Sequence, residues 1–194
     1  QESGLVTQIC PAPPWKAGKY LRRLIDEGYC GDIYNVYVRN IGDGLVDPES
    51  PLHWRMVERY SGLNALGMGI TMERVHRVLG YFSSITARTQ IFTNERPLPD
   101  GNGTAPVERP EMVHILGRMQ NGAEGAFLFT NKAGFADDDV LEIYGSEGTL
   151  IYDLGSTVRG AKTGDDALKD MPIPTDETDE WTVESDFVSA INGG

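Results

Sequence analysis

Apolar and polar positions fall into blocks along the chain, and the blocks predict its elements. Gly4–Cys10 is a short apolar run closed by Pro11, Pro13 and Pro14, which predicts a strand stopped by prolines. Lys16–Glu27 puts Tyr20, Leu21, Leu24 and Ile25 on one helical face, with Gly28 in the C-cap zone. Ile33–Ile41 alternates, with Tyr34, Val36 and Val38 on one side and Asn35, Tyr37 and Arg39 on the other. Tyr60–Phe82 is the one long helical pattern. Met68, Met72, Val75, Leu79 and Phe82 share a face there, and Leu63, Leu66 and Ile70 lie roughly opposite, so its first half is expected to be covered on both sides.

Strands are expected at Ile85–Phe92, Met112–Met119, Ala123–Thr130, Val140–Tyr144 and Thr149–Asp153. Asn121-Gly122 predicts a hairpin with both turn residues at positive φ, and Ser146-Glu147-Gly148 marks a second hairpin. Asn94–Arg109 reads as a long surface loop, and Gly155–Glu180 is acidic and weakly patterned. The class this implies is α+β: an open, mainly antiparallel sheet with helices packed on one face. The strand, turn and helix before it read as the last unit of an α/β domain. Both ends, Gln1 and Gly194, read as interior cuts of a longer protein.

Composition narrows the function classes. With 40% hydrophobic and 24% charged residues among 194, the chain is expected to be globular. Seventeen basic against 29 acidic residues give a net charge of −12, with no basic stripe, which argues against a nucleic-acid partner. No apolar run approaches the ~18–20 residues that span a bilayer, so no membrane role is expected. Cys10 and Cys30 lack a C-x-x-C partner and basic neighbours, and read as buried inert thiols in a reducing, cytoplasmic setting.

Few residues point to chemistry. His53, His76 and His114 lie far apart, and Glu73-x-x-His76 lacks a second ligand pair, so no metal site is expected. Glu73 reads instead as an i, i+4 partner of Arg77. Gly155–Thr163 imitates a phosphate loop, but Ala161 separates its glycine from Lys162 and the run follows a hairpin, so it is set aside. Asp137, Asp138 and Asp139 read as a charged lead-in that blunts a strand edge. Asn64, Gly67 and Thr71 form a small, polar stripe along the long helix. It faces either a small-molecule crevice or a close helix-to-sheet contact allowed by Gly67 and Gly69. Arg39, Arg55 and Arg59 fit either forked hydrogen bonds to a polyhydroxyl or anionic substrate, or surface pairing with the excess carboxylates.

Four motifs in register resemble a known family. Leu24-Ile25-Asp26-Glu27-Gly28-Tyr29-Cys30-Gly31-Asp32-Ile33 resembles the junction between the two domains of the glucose-fructose oxidoreductase / inositol dehydrogenase (Gfo/Idh/MocA) family. His53-Trp54-Arg55, followed by Ser61-Gly62-Leu63-Asn64, resembles its W-R and glycine-rich helix start. Leu141–Leu150 resembles its late L-E-I-x-G-x-x-G-x-L hairpin, and Trp181–Phe187 the helix start that follows.

The resemblance implies a two-domain oxidoreductase. A Rossmann domain binds NAD or NADP, and a C-terminal open sheet shapes the site for a sugar, polyol or related substrate and often packs against a partner subunit. Residues 1–30 would then be the tail of the dinucleotide-binding domain, and residues 31–194 the C-terminal α+β domain for substrate and oligomerisation. The cofactor-binding residues would lie upstream of Gln1. Family members carry D-x-G-x-H on the long helix, where this chain has Gly67 and Thr71, neither of which can act as a general base.

The expected function is therefore the C-terminal part of an NAD(P)-dependent oxidoreductase for a carbohydrate-like small molecule, inactive as an isolated chain. Arg55, Asn64 and Thr71 would orient hydroxyls, and no catalytic residue is assigned. The alternative is a non-catalytic ligand-binding or dimerisation module on the same fold. Either version is expected to form a homo-oligomer through the open sheet face of Asn35, Tyr37 and Arg39.

Overall fold

The computed structural model describes residues 4–137 and 139–193. Helix α1 (Gly18–Asp26) buries Tyr20, Leu21 and Leu24. It ends as the sequence pattern requires: Gly28 turns left-handed, its N–H bonds the Ile25 carbonyl, and the Tyr29 N–H bonds that of Leu24. Strand β1 (Ile33–Ile41) follows, then a 3₁₀ turn (Trp54–Met56), a single helical turn α2 (Glu58–Ser61) and α3 (Met68–Leu79). After them come β2 (Phe82–Gln90), β3 (Glu95–Pro97), β4 (Thr104–Pro106), β5 (Met112–Met119) and β6 (Glu124–Thr130). The chain continues with β7 (Val140–Gly145), β8 (Gly148–Tyr152), β9 (Val158–Lys162), β10 (Lys169–Met171), a 3₁₀ turn (Thr175–Glu177) and α4 (Val183–Ile191).

Eight strands form one sheet in the order β10-β9-β8-β7-β1-β6-β5-β2, and β3 and β4 form a separate pair. Strand β1 lies inside the sheet, parallel to β6 and antiparallel to β7. All other neighbours in the large sheet are antiparallel. One face is covered. Val36, Val38, Ile115, Phe127, Ile143, Leu150 and Tyr152 pack there with Tyr20, Leu21 and Leu24 of α1 and with Met72, Val75 and Leu79 of α3. The architecture is thus α+β, mainly antiparallel, with helices on one face. Trp15, Ala17 and Cys30 belong to the same core. The other face, with Tyr37, Leu116 and Tyr144, carries no helix, and the Tyr37 and Tyr144 rings stand 5.8 Å apart across β1 and β7.

Several expectations are corrected. Gly4–Cys10 is no strand and joins neither sheet, because a lone apolar run gains no ladder without a neighbour. The long helix starts only at Met68. Gly62 and Leu66 take left-handed backbone, which cannot propagate as a helix, and the pattern from Tyr60 breaks there. Leu63 is therefore 87% exposed and Ile70 is exposed too, while Leu66, ahead of the helix, packs half-buried against the core, so among the described residues α3 carries no second covered face. Phe82 begins β2 instead of ending the helix.

At the β5–β6 turn only Gly122 has positive φ, and its N–H bonds Met119, with Asn121 Oδ1 accepting from Ala123 N–H. Residues 94–109 hold the β3–β4 pair with Arg96 and Val107 buried, and residues 155–180 supply β9 and β10. Strand β7 is interior, so Asp139 blunts no edge; it accepts hydrogen bonds from Asn40 Nδ2 and Ile41 N–H. Asp138 lies outside the described residues. Cys30 is buried as expected, but Cys10 is exposed, because the proline-bounded segment carrying it stays off the core. None of the described helices is long and apolar enough to cross a membrane.

Candidate functional site

The loop after β1 folds back over the end of the sheet and leaves a cleft of about 430 Å³. His53, Arg55, Leu66, Arg109, Glu111 and Asn131 are among its walls. What holds the loop is a buried pair. Arg96 Nη2 bonds Glu111 Oε1 at 3.0 Å, with side chains 0% and 1% exposed. The same guanidinium donates to the carbonyls of Leu45, Asp47 and Ser50, so one side chain pins three points of the loop. Glu111 Oε2 accepts from the N–H groups of Phe92 and Thr93 at 2.8 Å. Burial alone would raise the Glu111 pKa. The Thr93 and Phe92 N–H donors, then Arg96 and Lys132, overrule burial and hold it below the ordinary value.

At the mouth, His53 caps the 3₁₀ turn by accepting the Arg55 N–H on Nδ1 at 3.2 Å. Its ring lies 5.5 Å from that of Trp54, and the Arg55 guanidinium sits 4.3 Å over the Trp54 ring. Arg109 bonds the Gly62 carbonyl and the Glu58 carboxylate, which ties α2 to the rim. The cleft thus offers a cation, an imidazole and amide groups. Its one carboxylate, Glu111, is fully engaged. Such a set can bind and orient hydroxyls.

The three residues expected to orient hydroxyls do not all converge. Arg55 lines the cleft. Asn64 precedes α3, is exposed, and sets its Oδ1 3.3 Å from where a Cβ on Gly69 would stand. Thr71 is only 4% exposed and shares the buried face of α3 with Met72 and Val75. The Gly67 stripe is a close contact: a Cβ there would meet Asn40 Oδ1 at 2.5 Å, and Asn40 is fixed by Asp139. Glu73 pairs with Arg77 as expected and also accepts the Ala12 N–H at 3.0 Å. His76 goes elsewhere, packing against Tyr81 and Phe82. Asn40, Arg96, Glu111 and Asp139 were not legible as site residues. Asn40 looked like one more strand position, and Arg96 and Glu111 belong to segments read as a polar loop and its border.

Residues 19–151 match the model of the GFO/IDH/MocA C-terminal domain, more than half of the chain. The chain belongs to the GFO/IDH/MocA family. A levoglucosan dehydrogenase of Pseudarthrobacter phenanthrenivorans is 30% identical over 146 residues, covering 68% of this chain and 37% of that protein. A levoglucosan dehydrogenase structure in complex with NADH and L-sorbose superposes with a TM-score of 0.71 at 26% identity, over 90% of this chain and 54% of that one. An oxidoreductase domain protein from Kribbella flavida shares the fold at a TM-score of 0.75 and 23% identity, over 84% and 47% of the two chains. The chain therefore spans between about a third and about half of these relatives, and its fold is that of the C-terminal half of sugar-dehydrogenase-like oxidoreductases.

The N-terminus of α1 is filled by Asp179, whose Oδ2 accepts the Lys19 N–H at 2.8 Å and stands 2.5 Å from a Cβ placed on Gly18. Gly4–Cys10, expected as the last strand of a dinucleotide-binding domain, forms no strand.

Proposed function

We propose that this chain is the sugar-binding half of an NAD(P)-dependent dehydrogenase, the dinucleotide being held by residues outside it. The observation that carries the reading is the cleft beside the start of α3, with Arg55 free of any carboxylate partner among the described residues and stacked on Trp54 at its mouth. Levoglucosan, the compound named for the relatives, suggests a pyranose-like substrate. Arg55 donates forked hydrogen bonds to ring hydroxyls, Asn64 is assigned a carboxamide contact at the helix start, and Thr71, buried with Met72 and Val75 and not part of the cleft wall, acts only by holding α3 in place. Residues 1–30 are assigned to the tail of the dinucleotide-binding domain and residues 31–194 to substrate and oligomer contacts. The uncovered sheet face around Tyr37, Leu116 and Tyr144 is assigned to a second copy of the chain.

The test is calorimetric titration of the full-length polypeptide with levoglucosan, with NADH present. Saturable binding weakened by Arg55→Ala and Asn64→Ala supports the reading; binding indifferent to both rejects these residue roles. A second reading has its own observation: Gly67 and Thr71 give the start of α3 no titratable group. A sugar that binds in the presence of NADH, but is not oxidised when NAD or NADP is supplied, favours a ligand-binding module over an enzyme.

A further inference from the structure

The large sheet has two edges, and they are built differently. Strand β10, at one end, is three residues long and carries Lys169 and Asp170 exposed, the kind of short, charged strand that discourages pairing. Strand β2, at the other end, is nine residues long, and among the described residues β5 is its only neighbour. It has no proline and a single charge, Arg88, and every residue from Ser83 to Gln90 is exposed. Its pairing with β5 shifts register between Phe82 and Ser84, so the irregularity lies at its start and the ladder runs evenly from Ser84 to Gln90. The devices that blunt an edge are present at β10 and absent along β2.

The ladder also fixes which backbone groups of β2 stay open. The Gln90 carbonyl accepts the Glu111 N–H, so Gln90 turns toward β5, whereas Met119 of β5 turns away, its N–H bonding the Ala123 carbonyl. Backbone groups alternate along an antiparallel strand, so Ser84, Thr86 and Arg88 also turn toward β5, and Ile85, Ala87 and Thr89 point N–H and C=O outward. The side chains of these outward residues stand beside Gly117, Ile115 and Val113, on the side of the sheet that the helices cover. They are nevertheless left open, Ile85 at 57% exposure. Such an edge accepts a strand whose own outward groups match, and β2 matches itself. Turned antiparallel about Ala87, Ile85 of one copy meets Thr89 of the other and Ala87 meets Ala87, so each of their outward N–H groups finds a carbonyl. Arg88 then meets Thr86 and Ser84 meets Gln90, which brings no two charges directly opposite each other.

We propose that β2 pairs edge to edge with β2 of a second copy of this chain, antiparallel about Ala87, and so joins two eight-stranded sheets into one. The contact is separate from the open face around Tyr37 and Leu116 and from the sugar cleft, and it does not rest on the function proposed above. One strand pair buries less than the ~1,200 Å² at which specific complexes become stable. The association is therefore weak and concentration-dependent, and at ultracentrifuge dilution it does not hold two copies together by itself.

The test uses the full-length polypeptide in a Cys10→Ser background, where Cys30 stays buried. Ala87→Cys faces itself across the two-fold axis and is expected to form a disulfide-linked dimer on mild oxidation of concentrated protein, since directly paired residues stand about 5.5 Å apart at Cα. Ile85→Cys and Thr89→Cys should cross-link efficiently when mixed and poorly when alone, because each faces the other. Hydrogen exchange supplies an independent readout on the wild type: the amides of Ile85, Ala87 and Thr89 should exchange more slowly as protein concentration rises, while Thr86 and Arg88 stay protected throughout. Ala87→Pro removes an N–H that β5 does not use, so the strand persists and the concentration dependence at Ile85 and Thr89 should vanish. Cross-linking that is equal at all three positions, or absent at Ala87→Cys, overturns the proposal, as do outward amides that exchange freely at every concentration. Outward amides protected even in the dilute monomer also overturn it, because a strand elsewhere in the polypeptide then covers the edge.

Discussion

Arg96 and Glu111 form an ion pair that solvent does not reach, and through it the loop that walls the cleft is fastened to the sheet. Removing one member strands the other as a buried charge. Glu111→Ala is expected to cost about 3–5 kcal/mol in urea melts at neutral pH. The pH dependence has a definite sign. The folded-state Glu111 pKa lies below its ordinary 4.5, so the carboxylate contributes fully above 4.5 and its contribution fades as the pH falls toward the lower folded value. The stability gap between wild type and Glu111→Ala should therefore narrow on acidification below 4.5. A gap that stays constant from neutral pH into that range would contradict this account.

The two thiols should separate chemically. Burial pushes Cys30 up to about 11, whereas Cys10 is exposed. A thiol-reactive disulfide reagent at mildly alkaline pH is expected to label Cys10 alone in the folded protein, and Cys30 only after unfolding. Rapid labelling of both in native buffer would show that the Cys30 site opens.

Gly67 and Asn40 should be coupled. Gly67→Ala drives a methyl group into Asn40 Oδ1, and Asn40 cannot simply swing away because Asp139 holds it. A loss of about 1–3 kcal/mol is expected, as for other overpacked sites. The double variant Asn40→Ala/Gly67→Ala should recover part of that loss, and a double-mutant cycle measures how much. Strict additivity would mean that the two positions do not meet in solution.

If the uncovered face joins two copies, a charge placed at its centre should part them. Tyr37→Glu combined with Leu116→Glu is expected to turn an oligomer into a monomer in analytical ultracentrifugation, with little change in Tm, because neither side chain belongs to the core under the helices. A wild-type protein that already sediments as a monomer removes the open face as an oligomer surface.

Much of the fold was readable because period and turn chemistry agree locally. Met112–Met119 alternates cleanly between a packed and an open side, and Ile33–Ile41 does so at Val36, Tyr37 and Val38, whereas Tyr34, expected beside the two valines, is exposed where the pairing with β7 shifts register between Ile33 and Asn35. The helix from Tyr60 failed for a backbone reason: Gly62 and Leu66 take left-handed conformations that apolar spacing cannot reveal. Strands β9 and β10 escaped because only Val158 and Gly160 of β9 face inward strongly, so little pattern survives. In the site, Arg55 was legible through a local motif. Asn40 was not, since its meaning comes from Gly67 and Asp139, which only the folded chain brings to it.

The interior position of β1 also sets an order of events. It is the first strand of the large sheet to be synthesised, yet both of its ladder partners, β6 and β7, follow some 80 to 110 residues later. A nascent chain on the ribosome must therefore carry Val36 and Val38 without their final neighbours until β6 and β7 have emerged. High contact order of this kind slows folding and leaves an open edge for the wrong strand to pair with. Expression yield should accordingly respond to chaperone supply more strongly than the stability of the finished protein would suggest.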